Sequence, residues 1–300
     1  MELIKDFWKC GIVAAEASEI VRRASLDDHL ITWLPGTKGL LYQADPFGLW
    51  RDGNLHIFLE CFDYAHGVGH IDVIVLDSAL QIVSRKPVLR EAWHLSYPYV
   101  FEADGETWML PEASASGTSH FYRAVRFPYE WERVWRVDFG SIPLDSTLVQ
   151  HGGLWWAFYA PAFPPHLRLT TLHAAYSDRL DGRWVPHPQN PIAQDAGGAR
   201  PGGTPLMIDG SLHLPVQQAT GSYGSGLRVL RFSSLSTEDA RCVFTSSIRA
   251  PAAASPYTDG CHTLSAAGPV TLIDVKQRRL SPLALAAWPV RNLRSRRRAI

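Results

Sequence analysis

Short runs of apolar residues recur along this chain, in pairs separated by a tight glycine turn. The copies are "DPFGLWRDGNLHIFLE", "YPYVFEADGETWMLPE", "DSTLVQHGGLWWAFYA", "GGTPLMIDGSLHLPVQ" and "CHTLSAAGPVTLIDV". Asp-Gly and similar pairs between β-rich runs are typical of hairpins, because the turn needs a positive φ that glycine adopts without steric cost. The pattern therefore predicts five hairpins, with turn glycines at Gly53, Gly105, Gly152, Gly210 and Gly268.

Further strand-like segments follow four of these hairpins, as "HIDVIVLD" and "LQIVSRKPVL" follow the first. Four strands per repeat are typical of a propeller blade. The fifth hairpin lacks its outer strands, whereas the N-terminus offers "WKCGIVAA" and "HLITWLPG" on either side of a helix predicted within 16–28. We therefore predict an all-β, five-bladed β-propeller whose last blade is closed by the N-terminal strands, which removes free sheet edges. A β-sandwich is the alternative, but sandwiches lack so regular a repeat.

Composition narrows the classes of partner. The 300 residues are 46% hydrophobic and contain 29 Lys and Arg against 29 Asp and Glu, so no large basic field favours nucleic acid. No apolar run is long enough to predict a membrane span. Four scattered cysteines indicate buried thiols in a reducing compartment, and we expect a cytoplasmic protein. We expect one propeller domain over residues 1–285 and a basic tail over 286–300.

Polar residues mark the ends of the predicted inner strands. Because the innermost strands of a propeller start at one face of the central channel, residues just before them and just after the second strands should meet there. Before the first strands lie Asp45, Ser96, Tyr97, Asp145, Arg200 and His262. Seven residues beyond the turn glycines lie Glu60, Glu112, Tyr159 and Gln217, with His94 and Trp155 nearby. Carboxylates, amides and aromatic faces together favour a polyhydroxylated ligand such as a sugar.

Four motifs in order along the chain carry a family resemblance. The segment "ADPF" resembles the first-blade signature of the five-bladed propellers of glycoside hydrolase family 43. Together with "SYPYVFEADGETWMLPEAS", "RPGG" and "DGCHTLS", it is similar to the N-terminal domain of plant glucosamine inositolphosphorylceramide transferases and their bacterial relatives. This resemblance spans roughly residues 8–285.

Family 43 implies inversion at the anomeric carbon by one base and one acid, with a third carboxylate that orients the sugar. The resemblance makes Asp45 the base and Asp145 the third residue. The family acid would come from the fourth blade, where this chain has "RPGG" instead. Either Glu112 or Glu60 could replace it, and we prefer Glu112 because a proline precedes it and small residues follow. No cofactor is expected, although His262 matches a position near a central hydrated cation such as calcium in that family.

Three functions remain open. The favoured one is a carbohydrate-active enzyme of glycoconjugate or secondary-metabolite biosynthesis that cleaves or transfers a glycosyl unit by carboxylate acid/base chemistry. Substrate would be held by Glu60, His94, Ser96, Tyr97, Trp155, Tyr159, Arg200, Gln217 and His262. The second is a non-catalytic module that binds a glycan or nucleotide sugar, in association with a biosynthetic transferase. The third is an acid/base enzyme acting on a non-sugar small molecule, since fold does not fix chemistry.

Overall fold

The computed structural model describes residues 4–280, which form five antiparallel sheets arranged as a five-bladed β-propeller. The predicted fold is therefore confirmed. The predicted tail, 286–300, lies outside the described residues. No helix within residues 4–280 is long and apolar enough to cross a membrane.

The elements follow one another blade by blade. The chain starts with β1 (Ile4–Val13), α1 (Ala17–Arg23) and β2 (Ile31–Trp33). Blade 1 contains β3 (Leu41–Arg51), β4 (Asn54–Asp63), β5 (Val68–Leu76) and β6 (Ile82–Leu89). Blade 2 contains β7 (Ser96–Ala103), β8 (Glu106–Glu112), β9 (Ser119–Arg126) and β10 (Glu130–Val137). Blade 3 contains β11 (Pro143–His151), β12 (Leu154–Pro161), β13 (Thr171–Ser177), β14 (Val185–Pro186) and β15 (Ala193–Gln194).

Two more blades complete the circle. Blade 4 contains β16 (Leu206–Ile208), β17 (Ser211–Gln218), β18 (Gly226–Leu235) and β19 (Ala240–Ile248). Blade 5 contains β20 (Leu264–Ala267) and β21 (Val270–Leu280), followed in space by β1 and β2. Short 3-10 helices lie at Ser114–Ser116, Pro165–Leu167 and Ala252–Ala254.

The N-terminal strands close the last blade, as predicted. Strand β1 pairs with β21 from Ile4 opposite Leu280 to Val13 opposite Thr271, and β2 pairs with β1 on its outer side. The predicted helix is present but shorter than 16–28, because Ala24 turns into the left-handed region at a φ of 54° and ends α1. Ile20 and Val21 of this helix are buried beside blade 4.

The inner strands of blades 1, 2 and 3 each contain a β-bulge at the equivalent position. The pairing register shifts between Ala44 and Phe47, between Ser96 and Tyr99, and between Leu144 and Thr147. The bulges contain Asp45, Tyr97 and Asp145, whose φ angles are 51°, 43° and 49°. A bulge redirects side chains, and a left-handed φ is uncommon at residues other than glycine. The three bulges therefore turn these residues toward the central channel.

Side chains from blades 2 and 3 cross the channel and close it to form a floor. The Tyr97 hydroxyl accepts a hydrogen bond from the Gly203 N–H at 2.8 Å, and the Thr147 hydroxyl donates to the Gly203 carbonyl at 3.1 Å. Gly203 also pairs in parallel with Leu264 of blade 5. These contacts tie blades 2, 3, 4 and 5 together at the axis, so the channel is a pocket open at one end.

Candidate active site

The pocket has a volume of about 250 Å³. This lies just under the ~300–1,000 Å³ typical of drug-sized ligand sites, and so suits one sugar residue rather than a chain of several. Seven of the predicted site residues line it: Asp45, Glu60, His94, Ser96, Glu112, Arg200 and His262. The remaining lining residues are Trp8, Tyr42, Leu144, Arg168 and Tyr223.

The ends of the second strands do converge at the pocket end of the channel. However, counting seven residues from each turn glycine gives a position that is wrong by one residue in blades 3 and 5. In blades 1, 2 and 4 the glycine is the second residue of the two-residue turn, whereas Gly152 and Gly268 are the first. A slip of one residue turns a side chain to the opposite face. The structurally equivalent positions are Glu60, Glu112, Ala160, Gln217 and Lys276.

This slip corrects the predicted position of Tyr159. Its hydroxyl donates to the Phe139 carbonyl at 2.7 Å, and its ring stacks on Phe139 inside the core between blades. Ala160 takes the equivalent position instead, opposite Leu144 of the pocket. Blade 3 therefore supplies no polar group at the end of its second strand.

Trp155 is also placed elsewhere. It is the second residue of β12, five residues from Ala160, and a strand advances about 3.3 Å per residue, so it lies roughly 17 Å along the strand from the pocket. Its ring packs at 5.8 Å from Phe101 at the other end of the blade. The aromatic walls come from residues that the sequence did not single out. The Trp8 ring stacks on His262 at 3.8 Å, and Tyr223 meets the same histidine edge-on.

Buried Lys276 contacts both aromatic residues of this wall, Trp8 and Tyr223. Its side chain is 0% exposed, and its ammonium lies 5.3 Å from the centre of the Trp8 ring. It donates to the Ser222 hydroxyl at 3.2 Å and to the Tyr223 carbonyl. The lysine therefore fixes the segment that carries Tyr223 against the N-terminal strand.

On the pocket floor, aspartate carboxylates accept hydrogen bonds from the backbone of the next blade. Asp274 accepts the N–H of Asp45 at 3.0 Å, and Asp45 in turn accepts the N–H of Tyr97 at 3.2 Å. Asp45 also accepts the Thr263 hydroxyl at 3.0 Å. The bulged residues of blades 1 and 2 thus each donate their N–H to an acid of the preceding blade.

Asp274 and Asp45 differ in how many acceptor positions remain. Asp274 accepts the N–H groups of His262 and Thr263, the N–H of Asp45 and, at 2.7 Å, the His262 Nδ1. A carboxylate has about four lone-pair positions, so Asp274 has none left. Asp45 accepts two hydrogen bonds, has His262 Nε2 3.5 Å away, and keeps capacity toward the pocket.

His262, the sequence-based candidate for a position near a cation, belongs to this cluster. Asp45, His262 and Asp274 lie close enough to hold a metal ion. Burial would lower the pKa of His262, but Asp274 and Asp45 raise it above the usual range, which favours the protonated imidazole with Nδ1 donating to Asp274. A protonated imidazole and a carboxylate with every lone pair engaged do not fit direct coordination of calcium.

Arg200 and Asp145 form a paired unit at the fourth-blade position. The guanidinium binds the Asp145 carboxylate through two contacts of 2.5 and 2.8 Å, and Gln217 donates to the same carboxylate at 2.6 Å. Asp145 and Gln217 lie beneath the pocket surface, whereas Arg200 reaches it. The "RPGG" segment therefore brings a guanidinium, paired with Asp145, to the pocket surface.

Glu112 and Ser96 pair across β7 and β8. The Ser96 hydroxyl donates to Glu112 Oε2 at 3.1 Å, and the Ser114 N–H donates to Oε1 at 2.7 Å. Glu60 and His94 lie beside them on the blade 1 side, with 3.7 Å between His94 Nε2 and Glu60 Oε1. Asp45, Glu60 and Glu112 thus bring three carboxyl groups to one small pocket.

The buried state of Asp45 should appear in the pH dependence of stability. Burial, together with Asp145 and Asp274, raises its pKa to about 7 against the opposing effect of His262. A raised carboxyl pKa contributes stability that is complete below the unfolded value of about 3.9 and is lost as pH rises through the folded value. We expect the free energy of unfolding of the wild type, relative to Asp45→Asn, to fall between about pH 4 and 7. Urea unfolding across that range measures it, and parallel curves for the two proteins would contradict a raised pKa.

Fold and pocket together define the class: a five-bladed propeller with a small, acidic, aromatic-walled pocket at its axis. Residues 37–253 match the family model described as glucosamine inositolphosphorylceramide transferase 1, N-terminal. The chain therefore belongs to this family, and the resemblance seen in the sequence is confirmed. The match covers blades 1 to 4 and stops before blade 5.

Comparisons of sequence and of structure agree on the fold. The chain is 36% identical over 203 residues to glucosamine inositolphosphorylceramide transferase 1 of Oryza sativa subsp. indica, covering 66% of this chain and 27% of the relative. It is 34% identical over 204 residues to the Arabidopsis thaliana protein of that name, covering 67% of this chain and 26% of the relative. The chain thus spans about a quarter of the curated relatives it matches.

Solved structures share the propeller at much lower identity. Zg3597, a family 117 glycoside hydrolase of Zobellia galactanivorans, aligns with a TM-score of 0.55 at 12% identity, covering 72% of this chain and 74% of that one. The RS223 β-xylosidase aligns with a TM-score of 0.54 at 12% identity, covering 72% of this chain and 80% of the other. At such identity these likenesses show the fold alone.

Proposed function

We propose that this chain is a carbohydrate-active enzyme that holds one sugar residue in the axial pocket and cleaves or transfers its glycosyl unit, with Asp45 as general base. The observation that carries the proposal is the contrast between Asp274, whose acceptor positions are all filled, and Asp45, which keeps capacity facing the pocket. A base needs a free lone pair within reach of the proton that it removes. Its raised pKa of about 7 places Asp45 near neutral operating pH.

The other groups have distinct roles in this proposal. Arg200, neutralised and oriented by Asp145, presents N–H donors that suit sugar hydroxyls. The rings of Trp8 and Tyr223 line the pocket and offer a sugar an apolar surface, although one face of Trp8 is already stacked on His262. The relatives' names support a glycosyl substrate, and a location in the cytoplasm stays a prediction.

A non-catalytic sugar-binding module is the second candidate. It is favoured by the fourth blade, where Arg200 replaces an acid, and by the greater length of the relatives, which leaves room for a separate transferase unit. In that case the chain would present a glycan or nucleotide sugar to such a transferase.

Replacing Asp45 with asparagine tests the two candidates. Asn keeps the shape of Asp but cannot take a proton, so we expect turnover of aryl glycosides or nucleotide sugars to fall at least ~100-fold while the thermal shift on ligand binding persists. Wild type, Asp45→Asn and the control Asp104→Asn are screened on one panel for both readouts. Asp104 lies in the turn between β7 and β8, away from the pocket, at a φ of 54° that asparagine tolerates.

Each outcome has a clear meaning. Turnover lost in Asp45→Asn but kept in Asp104→Asn supports base catalysis. Ligand-induced stabilisation without turnover in any of the three proteins supports the binding module. Full turnover in Asp45→Asn contradicts the role of Asp45.

A further inference from the structure

Glu60 is a buried acid with an unused oxygen. It is 4% exposed, its Oε1 lacks a hydrogen-bond partner among residues 4–280, and its side chain lines the pocket. A buried polar group is normally satisfied, so an exception of this kind needs an explanation. The nearest imidazole nitrogen to this oxygen is His94 Nε2, at 3.7 Å.

Glu112 occupies the equivalent position one blade further on, in a different environment. Both of its oxygens accept hydrogen bonds, from the Ser96 hydroxyl and from the Ser114 N–H. Burial and the neighbouring carboxylates Asp45 and Glu112 raise the pKa of Glu60 well above its usual range. The two acids therefore differ in their partners, because both oxygens of Glu112 are engaged whereas Glu60 Oε1 is not.

His94 is held in one tautomer next to Glu60. The Gly69 N–H donates to His94 Nδ1 at 2.9 Å, so that nitrogen must be unprotonated. Burial lowers the pKa of His94, which keeps the imidazole neutral, with its proton on Nε2. Nε2 lies 3.7 Å from Glu60 Oε1, and the His94 side chain is 28% exposed. A neutral N–H donor thus lies close to the unused oxygen, just beyond hydrogen-bond distance.

Gly69 makes this arrangement sterically feasible. A Cβ at this position would lie 2.8 Å from Glu60 Oε1, 2.8 Å from a His94 ring carbon and 2.7 Å from the Leu95 carbonyl. The backbone of Gly69 also binds Leu95 N–H at 3.1 Å. The glycine therefore fixes the segment that carries His94 while leaving space for the two side chains to approach.

We propose that Glu60, rather than Glu112, is the proton donor of the pocket, and that His94, oriented by Gly69, is its positioning residue. The proposal rests on the function proposed above. As the glycosidic C–O bond breaks, its electron pair moves to the leaving oxygen, which takes the proton of Glu60 and departs as an alcohol. Water, or an acceptor hydroxyl in a transfer reaction, bonds to the anomeric carbon and gives a proton to Asp45. The His94 N–H stabilises the resulting Glu60 carboxylate until solvent returns the proton.

Leaving-group dependence is the catalytic test, with Glu60→Gln and Glu112→Gln as a matched pair. The substrates are an alkyl glycoside and a dinitrophenyl glycoside of the sugar that the wild type accepts. Protonation matters only for the poor alkyl leaving group, so we expect Glu60→Gln to lose at least ~100-fold on it and only a few-fold on the dinitrophenyl glycoside. Glu112→Gln is expected to affect both substrates equally. The reverse pattern overturns the proposal.

Difference infrared spectroscopy tests the same residue without turnover. A protonated carboxyl band is expected at neutral pH that shifts when the protein contains ¹³C-glutamate, vanishes in Glu60→Gln and persists in Glu112→Gln. His94→Gln should move the pH at which this band titrates, which a purely structural histidine would not do. Absence of the band in the wild type overturns the proposal. A wild type that shows the band but turns over no glycoside refutes the catalytic function and leaves Glu60 as a proton donor to a bound ligand.

Discussion

Asp274→Asn is expected to lower the free energy of unfolding by about 3–5 kcal/mol, the typical cost of removing one partner of a buried ion pair. Asp274 is 0% exposed, and its carboxylate accepts bonds from His262, Thr263 and Asp45. An asparagine amide would turn two donors toward groups that are themselves donors. The His262 cation would then be buried without its main counter-charge.

The pH of the measurement matters for Asp274→Asn. Burial acts to raise the pKa of Asp274, but His262 and the backbone donors hold it below the usual range. The stability that the lowered pKa of Asp274 contributes is present above the unfolded-state pKa of about 3.9 and is lost as pH falls through the folded-state pKa. The raised pKa of His262 contributes stability that is complete below about 6.5 and is lost as pH rises. The loss is therefore expected to be greatest between about pH 4 and 6.5.

Urea unfolding in that window measures the effect of Asp274→Asn. The control is Asp209→Asn, since the Asp209 side chain is 78% exposed and pairs with Arg22 at the surface. The control should change stability little, because exposed ion pairs contribute little. An Asp274→Asn protein as stable as the wild type would mean that His262 is not held as a cation.

Gly203→Ala is the second substitution with a large expected effect. A Cβ at Gly203 would lie 1.9 Å from the Leu264 carbonyl oxygen, and the φ of 150° is one that L-residues rarely adopt. Overpacking and backbone strain each cost about 1–3 kcal/mol, so we expect a loss of roughly 3–5 kcal/mol. The clash is with backbone, which cannot move aside without separating blades 4 and 5.

The matched control for Gly203→Ala is Gly36→Ala, where a Cβ would meet nothing within 4 Å. Thermal unfolding of both variants separates the clash from the general effect of removing a glycine, which is small or stabilising where the backbone conformation allows. Because Tyr97 and Thr147 bond to Gly203, the pocket floor should also be disturbed, and ligand-induced stabilisation should fall. Equal stability of the two variants would refute the close packing of blades at the axis.

The propeller could be predicted because its signal is local. Asp-Gly turns at Gly53, Gly105 and Gly210 set short-range hairpins, and a repeat of four strands left blade 5 visibly incomplete. Closure by β1 then followed from the need to satisfy free sheet edges. The length of α1 did not follow, because its end depends on the backbone conformation of one residue, Ala24.

The pocket was only partly predictable. Asp45, Glu60, Glu112 and Ser96 could be found because their distance from a tight turn fixes which way they point. Tyr159 was misplaced, because the double glycine of blade 3 shifts the count by one residue. Trp155 was misplaced because composition favoured tryptophan walls without regard to position along the strand.

Residues that reach the pocket through long-range pairing gave no local signal. Trp8 lies in β1, and only its alignment with Lys276 of β21 brings it over His262. Tyr223 and Arg168 stand in loops outside the strands, where no hairpin spacing fixes the direction of their side chains. Contact with a distant strand, rather than residue type, decides which side chains line this site.

Because Trp8 of β1 stacks on His262 of blade 5, a ligand in the pocket would contact both ends of the described chain at once. Trp8 sits on the strand that seals the circle of blades, and its partners on β21 lie more than 260 positions further along. A molecule that contacts Trp8 and Arg200 together would bind only the closed propeller. Because a ligand stabilises the form that it binds, such a molecule would also stabilise the pairing of β1 with β21. The stability of the β1–β21 pairing should therefore increase as ligand fills the pocket and decrease as the ligand leaves.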